Sequence, residues 1–536
     1  MRRPVRSVHL AHLAVAILIV GALCAGGLAG CGPDPDLNTA ETSVRIVDNQ
    51  FAGRTVRIDL GATVVWRNDG RNTHDVVADD KAFHSPTLQP GQVFRHRFTK
   101  PGVYRYYCSF HGAPGKGQWG TVVVGDGGKG QLPRSDQRAA RGGHTGGSQT
   151  IRVPADHRTI QQAVDAATPG DLVTISPGVY HEAVTVTTDR LTIRGLDRNT
   201  TIVDGDLRRQ NGFKVVAANG VAIENITARG FVGNGFYWTG VTGYRGSYLT
   251  AYRNGDYGLY AFDSRRGQFD HSYASGQPDS GFYIGQCQPC DAVIDGVTSE
   301  HNELGYSGTN AGGNLFIVHS VFRQNRAGIV PNTLDSEKLA PQDDIVIAGN
   351  VVTDNNDANA PRAETAEFDA VFGSGIVIVG GINDTVTKNR VTGHQAVGIG
   401  IAPNPGIDKK YWPALRNRVV GNLVSGSGLA DLAVLLGKPD DGNCFAGNRF
   451  ATSSPSAIER LRPCRGSGSG DPNAGAFDLA RFLNAKHPEG APWQKSPVPR
   501  REAQMPGAAS APAHAATDVP IAVNLATVRI PGPGSG

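Results

Sequence analysis

The strongest chemical signal in this chain is Cys108-Ser109-Phe110-His111, which sets a thiol and an imidazole on one turn, close enough to share a metal ion. A second imidazole, His74, stands upstream in RNTHDVV, directly after the apolar run ATVVWRN. A lone histidine is usually surface or core filler, and a lone exported cysteine usually seeks a disulfide. Their joint occurrence argues against both readings. His84 and His96 have no comparable spacing and read as ordinary polar residues.

Strands must position these groups. Residues 42–125 alternate apolar and polar side chains in VRIVDNQF, TVRIDL, ATVVWRN, QVFRHRF and GTVVV, with Gly, Asp and Pro turns between them, and this predicts a small β-sandwich. In GVYRYYC the period of two puts Tyr104, Tyr106 and Cys108 on one face, so the thiol is carried inward.

These segments resemble the plastocyanin-like cupredoxin family, which has a distant first histidine, a Cys-x-x-His loop, an axial residue and a final Gly-x-Val-x-Val strand. The resemblance implies a Greek-key β-sandwich in which His74 and His111 supply imidazoles and Cys108 a thiolate to one copper ion, a type 1 site. It also implies one-electron transfer with a redox partner protein in the cell envelope. Where most of the family places a weak methionine ligand, this chain has Gln118. An amide oxygen is harder than a thioether and favours Cu(II), so the reduction potential is expected to be lower than in a methionine-bearing relative. Zinc fits less well, since it wants a fourth firm ligand. Copper buffering or delivery is the alternative role for the same site.

The leader has a basic start, MRRPVR, an apolar run through AVAILIVGAL, and then Leu28-Ala29-Gly30-Cys31. It resembles a bacterial lipoprotein signal, which implies cleavage of residues 1–30, a lipid on Cys31, a linker over 31–41 and a chain anchored to the membrane outside the cytoplasm. Of the seven cysteines, loss of Cys24, acylation of Cys31 and metal binding by Cys108 leave four. Cys444 and Cys464 are expected to close a loop. Cys287 and Cys290 read first as a small-loop disulfide, with a thiol redox pair or half a metal site as the alternatives. With the three leader arginines removed, basic and acidic residues nearly balance, and no nucleic-acid footprint follows.

Residues 126–149 are glycine-rich and charged, which marks a flexible linker. Beyond it, the amphipathic TIQQAVDAA precedes strands at VTIS, AVTVT and LTIRG, an opening that resembles the pectin-lyase-like right-handed parallel β-helices. Internal repetition agrees: GFYW, GLYA, GFYI, GYSG, GIVP, GIVI and GIGI begin at Gly235, Gly258, Gly281, Gly305, Gly328, Gly375 and Gly398, in steps of 23, 23, 24, 23, 47 and 23. The long step reads as one coil with insertions. Phe236, Trp238, Phe282, Ile284, Ile376 and Ile378 should face inward. Tyr237, Tyr260 and Tyr283 should face outward and stack, either as structure alone or as a ladder for sugar rings.

The β-helix is thus assigned to 150–464, as a docking or ligand-binding surface. The enzyme alternative is a carbohydrate-active or carbohydrate-binding protein acting on polysaccharide, with carboxylate candidates Asp256, Asp263, Asp270, Asp279, Glu364, Glu367 and Asp369 beside His271. Residues 465–536 are rich in Pro, Ala and Gly and are expected to be a largely disordered tail. The whole chain, with 70 glycines, 32 prolines and 7% aromatics, reads as all-β.

Overall fold

The computed structural model describes residues 40–125 and 148–534, apart from Asp48, Arg71, 335–337, 364–367, 407–409, 436–440, Leu479 and 517–521. Cys31, the leader, most of the expected linker, Glu364 and Glu367 lie outside the described residues.

Eight strands build the first domain: β1 (Glu41–Val47), β2 (Gln50–Ala52), β3 (Thr55–Ile58), β4 (Thr63–Asn68), β5 (Val77–Ala78), β6 (Val93–Arg97), β7 (Gly102–Ala113) and β8 (Lys116–Val124). They form two sheets of four, ordered β2-β1-β4-β6 and β3-β8-β7-β5. Alternation along β1, β4 and β8 sends Val44, Ile46, Val64, Trp66, Val122 and Val124 between the sheets, where none is exposed. Tyr106 and Cys108 share this buried face, as the period of two requires.

The second domain is a parallel β-helix with three sheets of 12, 10 and 11 strands. It opens at Thr150–Val153 and runs through the expected long coil, because Ile329 pairs directly with Ile376 despite the insertion between them. Helix α1 (Ile160–Ala166) covers its first end and buries Ile160, Ala163 and Val164. Its start is capped by Thr159 Oγ1, which accepts from Gln162 N, and by the Glu182 carboxylate, which accepts from Ile160 N and Gln161 N. Phe236, Trp238, Phe282, Ile284, Ile376 and Ile378 all point into the core, with no exposure.

A coil cannot satisfy its own buried turn, so successive coils do it for each other. Asn350, Asn389, Asn422 and Asn448 stack, each Nδ2 donating to the next Oδ1 at 2.9–3.0 Å. Asn302, Asn325 and Asn355 form a second stack, at 3.0 and 2.9 Å. These amides replace the water that the turn backbone would otherwise need.

The tail corrects an expectation. Its described residues lie along the β-helix, held by side chains that donate to tail carbonyls: Arg194 to Ala511 and Pro512, Arg198 to Ala503, Lys388 to Leu525 and Val528, and Arg390 to Pro531. Val528 also inserts beside Val293, Val318 and Ala348. A Pro/Ala-rich segment lacks apolar periodicity yet offers a continuous row of acceptors, and the charged rows of the β-helix use it.

Asn389→Ala removes donors to Ile347 O, Thr387 O and Asn422 Oδ1 from a buried stack. The expected loss is about 3 kcal/mol of stability, read from the urea midpoint. A change below about 0.5 kcal/mol, the size of a surface substitution, would contradict the role given to the stacks.

Candidate metal centre

His74 sits in the loop leaving β4, a segment fixed from within. Asn68 Nδ2 donates to Asn72 O at 2.7 Å and to Leu88 O at 2.9 Å, and its Oδ1 accepts from Gly70 N at 3.1 Å. His74 exchanges both backbone hydrogen bonds with Leu88. The ring is fully buried.

Cys108 and His111 come from an irregular stretch of β7. Tyr107 lies opposite Trp119 and Gly112 opposite Gly117, so five steps along β7 answer two along β8. The intervening Cys108–His111 segment is pushed out of the ladder, and both side chains turn to one point. The Asp75 carboxylate, next to His74, accepts from Ser109 N at 2.6 Å and from Ser109 Oγ. That ties the two ligand-bearing segments together.

The three groups converge. His74 Nδ1 and His111 Nδ1 are 3.1 Å apart, and Cys108 Sγ is 3.7 and 3.6 Å from them. A triangle of these sides admits an ion at about 2.0 Å from each nitrogen and about 2.3 Å from sulfur. Gln118 Oε1, buried, stands 3.1 Å from His74 Nδ1 and aims into the same space. Gln118 thus lies beside the cluster of His74, Cys108 and His111.

Electrostatics suits a cation. Burial lowers the His74 pKa to about 4, and burial, the neighbouring His74 and Lys214 hold His111 well below its ordinary value. Both rings are therefore neutral at pH 7, the form that ligates. Burial first, and Asp75 second, push the Cys108 thiol up to about 12. A cation entering must displace that proton, and its charge offsets the burial of a thiolate.

The β-helix touches this centre. The Tyr237 ring meets the His111 ring edge-on at 6.4 Å, and Asn49 Nδ2 donates to Tyr237 OH at 3.4 Å. A Cβ on Gly117, where φ is +61°, would stand 2.8 Å from Val216 Cγ1, so the approach of β8 to the β-helix needs glycine there.

Tyr237, Tyr260 and Tyr283 lie in register; the first two rings stack with centroids 4.9 Å apart, while Tyr283 is tilted 58° against Tyr260 at 4.7 Å. None is more than 5% exposed, so the face they share is closed rather than an open platform for sugar rings. The carboxylate candidates divide. Tyr257 OH donates to Asp279 Oδ2 at 2.9 Å near the tyrosines, with Asp256 beside them, its pKa raised by burial to about 7. Asp263 is exposed. Asp270 lies on another sheet, paired with Arg245 and His271, and Asp369 is paired with Arg362.

Cys287–Cys290 and Cys444–Cys464 are disulfides, and Cys108 is the free cysteine among the described residues. A further grouping of His181, Asp204 and Asp206 is already bound by Arg229 and Arg209. His84 lies exposed near Asp75, and His96 stacks on Phe83. One residue at the centre escaped the sequence reading. Lys214 donates to Ser109 O and Gly112 O. Its signal was its place one 23-residue step before Tyr237.

Comparison with known proteins divides along the same boundary. Residues 234–407 match the family described as right handed beta helix region. Amicyanin-alpha of Methylorubrum extorquens is 30% identical over 111 residues, 20% of this chain and 91% of that protein. Plastocyanin of Scenedesmus fuscus is 31% identical over 85 residues, 14% of this chain and 85% of its own length. Among solved structures, the A-module of a mannuronan C-5 epimerase from Azotobacter vinelandii has a TM-score of 0.40 at 16% identity, covering 55% of this chain and 91% of its own. A methionine-to-glutamine mutant of amicyanin, in the Cu(I) form, has a TM-score of 0.14 at 28% identity, covering 16% and 81%.

Gln118→Met places a thioether where Oε1 now points. The expected outcome is a rise in reduction potential of at least about 60 mV, a tenfold shift in a one-electron equilibrium, measured by redox titration of the copper-loaded chain. An unchanged potential would remove Gln118 from the ligand set.

Proposed function

Because this chain belongs at its first domain to the plastocyanin-like cupredoxin family, with a right-handed parallel β-helix fused behind it, we propose that it is a copper electron carrier of the cell envelope. The observation that carries this reading is the convergence of His74 Nδ1, Cys108 Sγ and His111 Nδ1 on one point, with Gln118 Oε1 beside it. Trigonal N₂S sets with a weak axial oxygen or sulfur serve electron transfer rather than substrate turnover.

Copper bound there supplies a Cu(II)/Cu(I) couple. The chain's own part is to hold one geometry through both states. Asn68 and Leu88 fix the His74 loop, Asp75 ties that loop to Ser109, and the β7–β8 pairing on either side anchors the Cys108–His111 segment. Burial of Cys108 and His74 excludes water from the ion and keeps other ligands out. In this reading the β-helix is the docking surface for a redox partner protein.

The same proposal places the protein outside the cytoplasm, anchored through lipid on Cys31. The leader pattern supports it, and so do the two disulfides, which persist in oxidising compartments.

The test is the visible and paramagnetic resonance spectrum of the copper-loaded full chain beside Cys108→Ser. An intense thiolate-to-copper band at about 600 nm, absent from the variant, is expected. Binding of zinc with no such band on copper loading would overturn the reading.

A further inference from the structure

Three successive coils of the β-helix carry tyrosine at one outward position, and the coil before them carries Lys214 there, paired in register with Tyr237. A lysine on the outside of a β-helix is ordinarily solvated, yet Lys214 is only 8% exposed. Its Nζ donates to Ser109 O and to Gly112 O, each at 2.8 Å. These two carbonyls bracket Phe110 and His111, the part of the segment that stands outside the β7–β8 ladder.

Taking an ammonium out of water is unfavourable unless other groups replace its hydration. Two charge-assisted hydrogen bonds do part of this, and the Cys108 sulfur, once it ligates as a thiolate, and the Asp75 carboxylate add an attractive field. Burial lowers the Lys214 pKa to about 8, which still leaves the group mostly charged at neutral pH. The geometry therefore joins two effects in one side chain: a mechanical hold on the ligand segment, and a positive charge near the thiolate.

We propose that Lys214 is a positioning residue of the copper centre, supplied by the β-helix, which clamps the Cys108–His111 segment and biases the centre toward Cu(I). The inference rests on the copper reading above. A nearby positive charge disfavours the more positive oxidation state, so its removal should favour Cu(II). The two domains then form one redox unit, and the β-helix tunes the centre it covers.

Two measurements on the full chain test this, with Lys214→Met, Lys214→Arg and Lys116→Met compared with the parent. Lys116 Nζ donates across the domains to Thr187 O, so Lys116→Met removes a contact of the same interface away from the bracketing carbonyls. First, in the metal-free chain, hydrogen exchange at the backbone amides of the Cys108–Gly112 segment is read by peptide mass. Lys214→Met should speed it about tenfold, the equivalent of one lost charge-assisted hydrogen bond, whereas Lys116→Met should not.

Second, at a solution potential fixed near the parent midpoint, the Cu(II):Cu(I) ratio should rise about tenfold in Lys214→Met, as expected for loss of a close, partly screened charge. Lys214→Arg should stay near the parent value. Equal effects of Lys214→Met and Lys116→Met, or none from Lys214→Met in either measurement, would overturn the inference. Faster exchange in Lys214→Met, in a chain whose parent shows no blue band, would retain the clamp and reject the copper reading instead.

Discussion

The metal centre depends on one interruption of hydrogen bonding. Between Tyr107 and Gly112 the β7–β8 ladder gives up its register, and this frees the Cys108–His111 segment from the pleat. In a regular strand, residues three apart point to opposite faces, and Cys108 and His111 could not meet. The slip brings them to 3.6 Å. The carbonyls of Ser109 and Gly112, within and at the end of that interruption, accept from Lys214 Nζ. One local irregularity thus creates both the donor set and the surface by which the second domain attaches.

Much of this was legible in the sequence because it rests on side-chain periodicity. The alternation of GVYRYYC predicts a buried Cys108, and the 23-residue step predicts the register of Tyr237, Tyr260 and Tyr283. The long step from Gly328 to Gly375 predicts one coil with insertions, and Ile329 does pair with Ile376. What could not be read is what depends on backbone acceptors. The tail beyond Cys464 has no apolar periodicity, yet its carbonyls meet Arg194, Arg198, Lys388 and Arg390, and single side chains such as Val528 and Phe482 are buried. Lys214 was hidden for the same reason, since its partners are carbonyls of a segment far away in the chain.

The burial of the tyrosines has a related cause. Their spacing fixes that they form one row, but only the docking of the first domain determines that Tyr237 faces His111 instead of solvent. A periodic sequence specifies the shape of a β-helix face. Which partner covers that face depends on complementarity between two surfaces, such as the close approach of Gly117 to Val216.

The central claim is that copper sits where His74, Cys108 and His111 converge, beneath the β-helix face that carries Lys214. The most direct test is diffraction from crystals of the copper-loaded full chain, with data collected on both sides of the copper absorption edge. The account predicts one anomalous peak within bonding distance of His74 Nδ1, Cys108 Sγ and His111 Nδ1, with Lys214 still on the carbonyls of Ser109 and Gly112. A peak at another cluster, such as His181 with Asp204 and Asp206, or none at the Cys108 triangle, would contradict it.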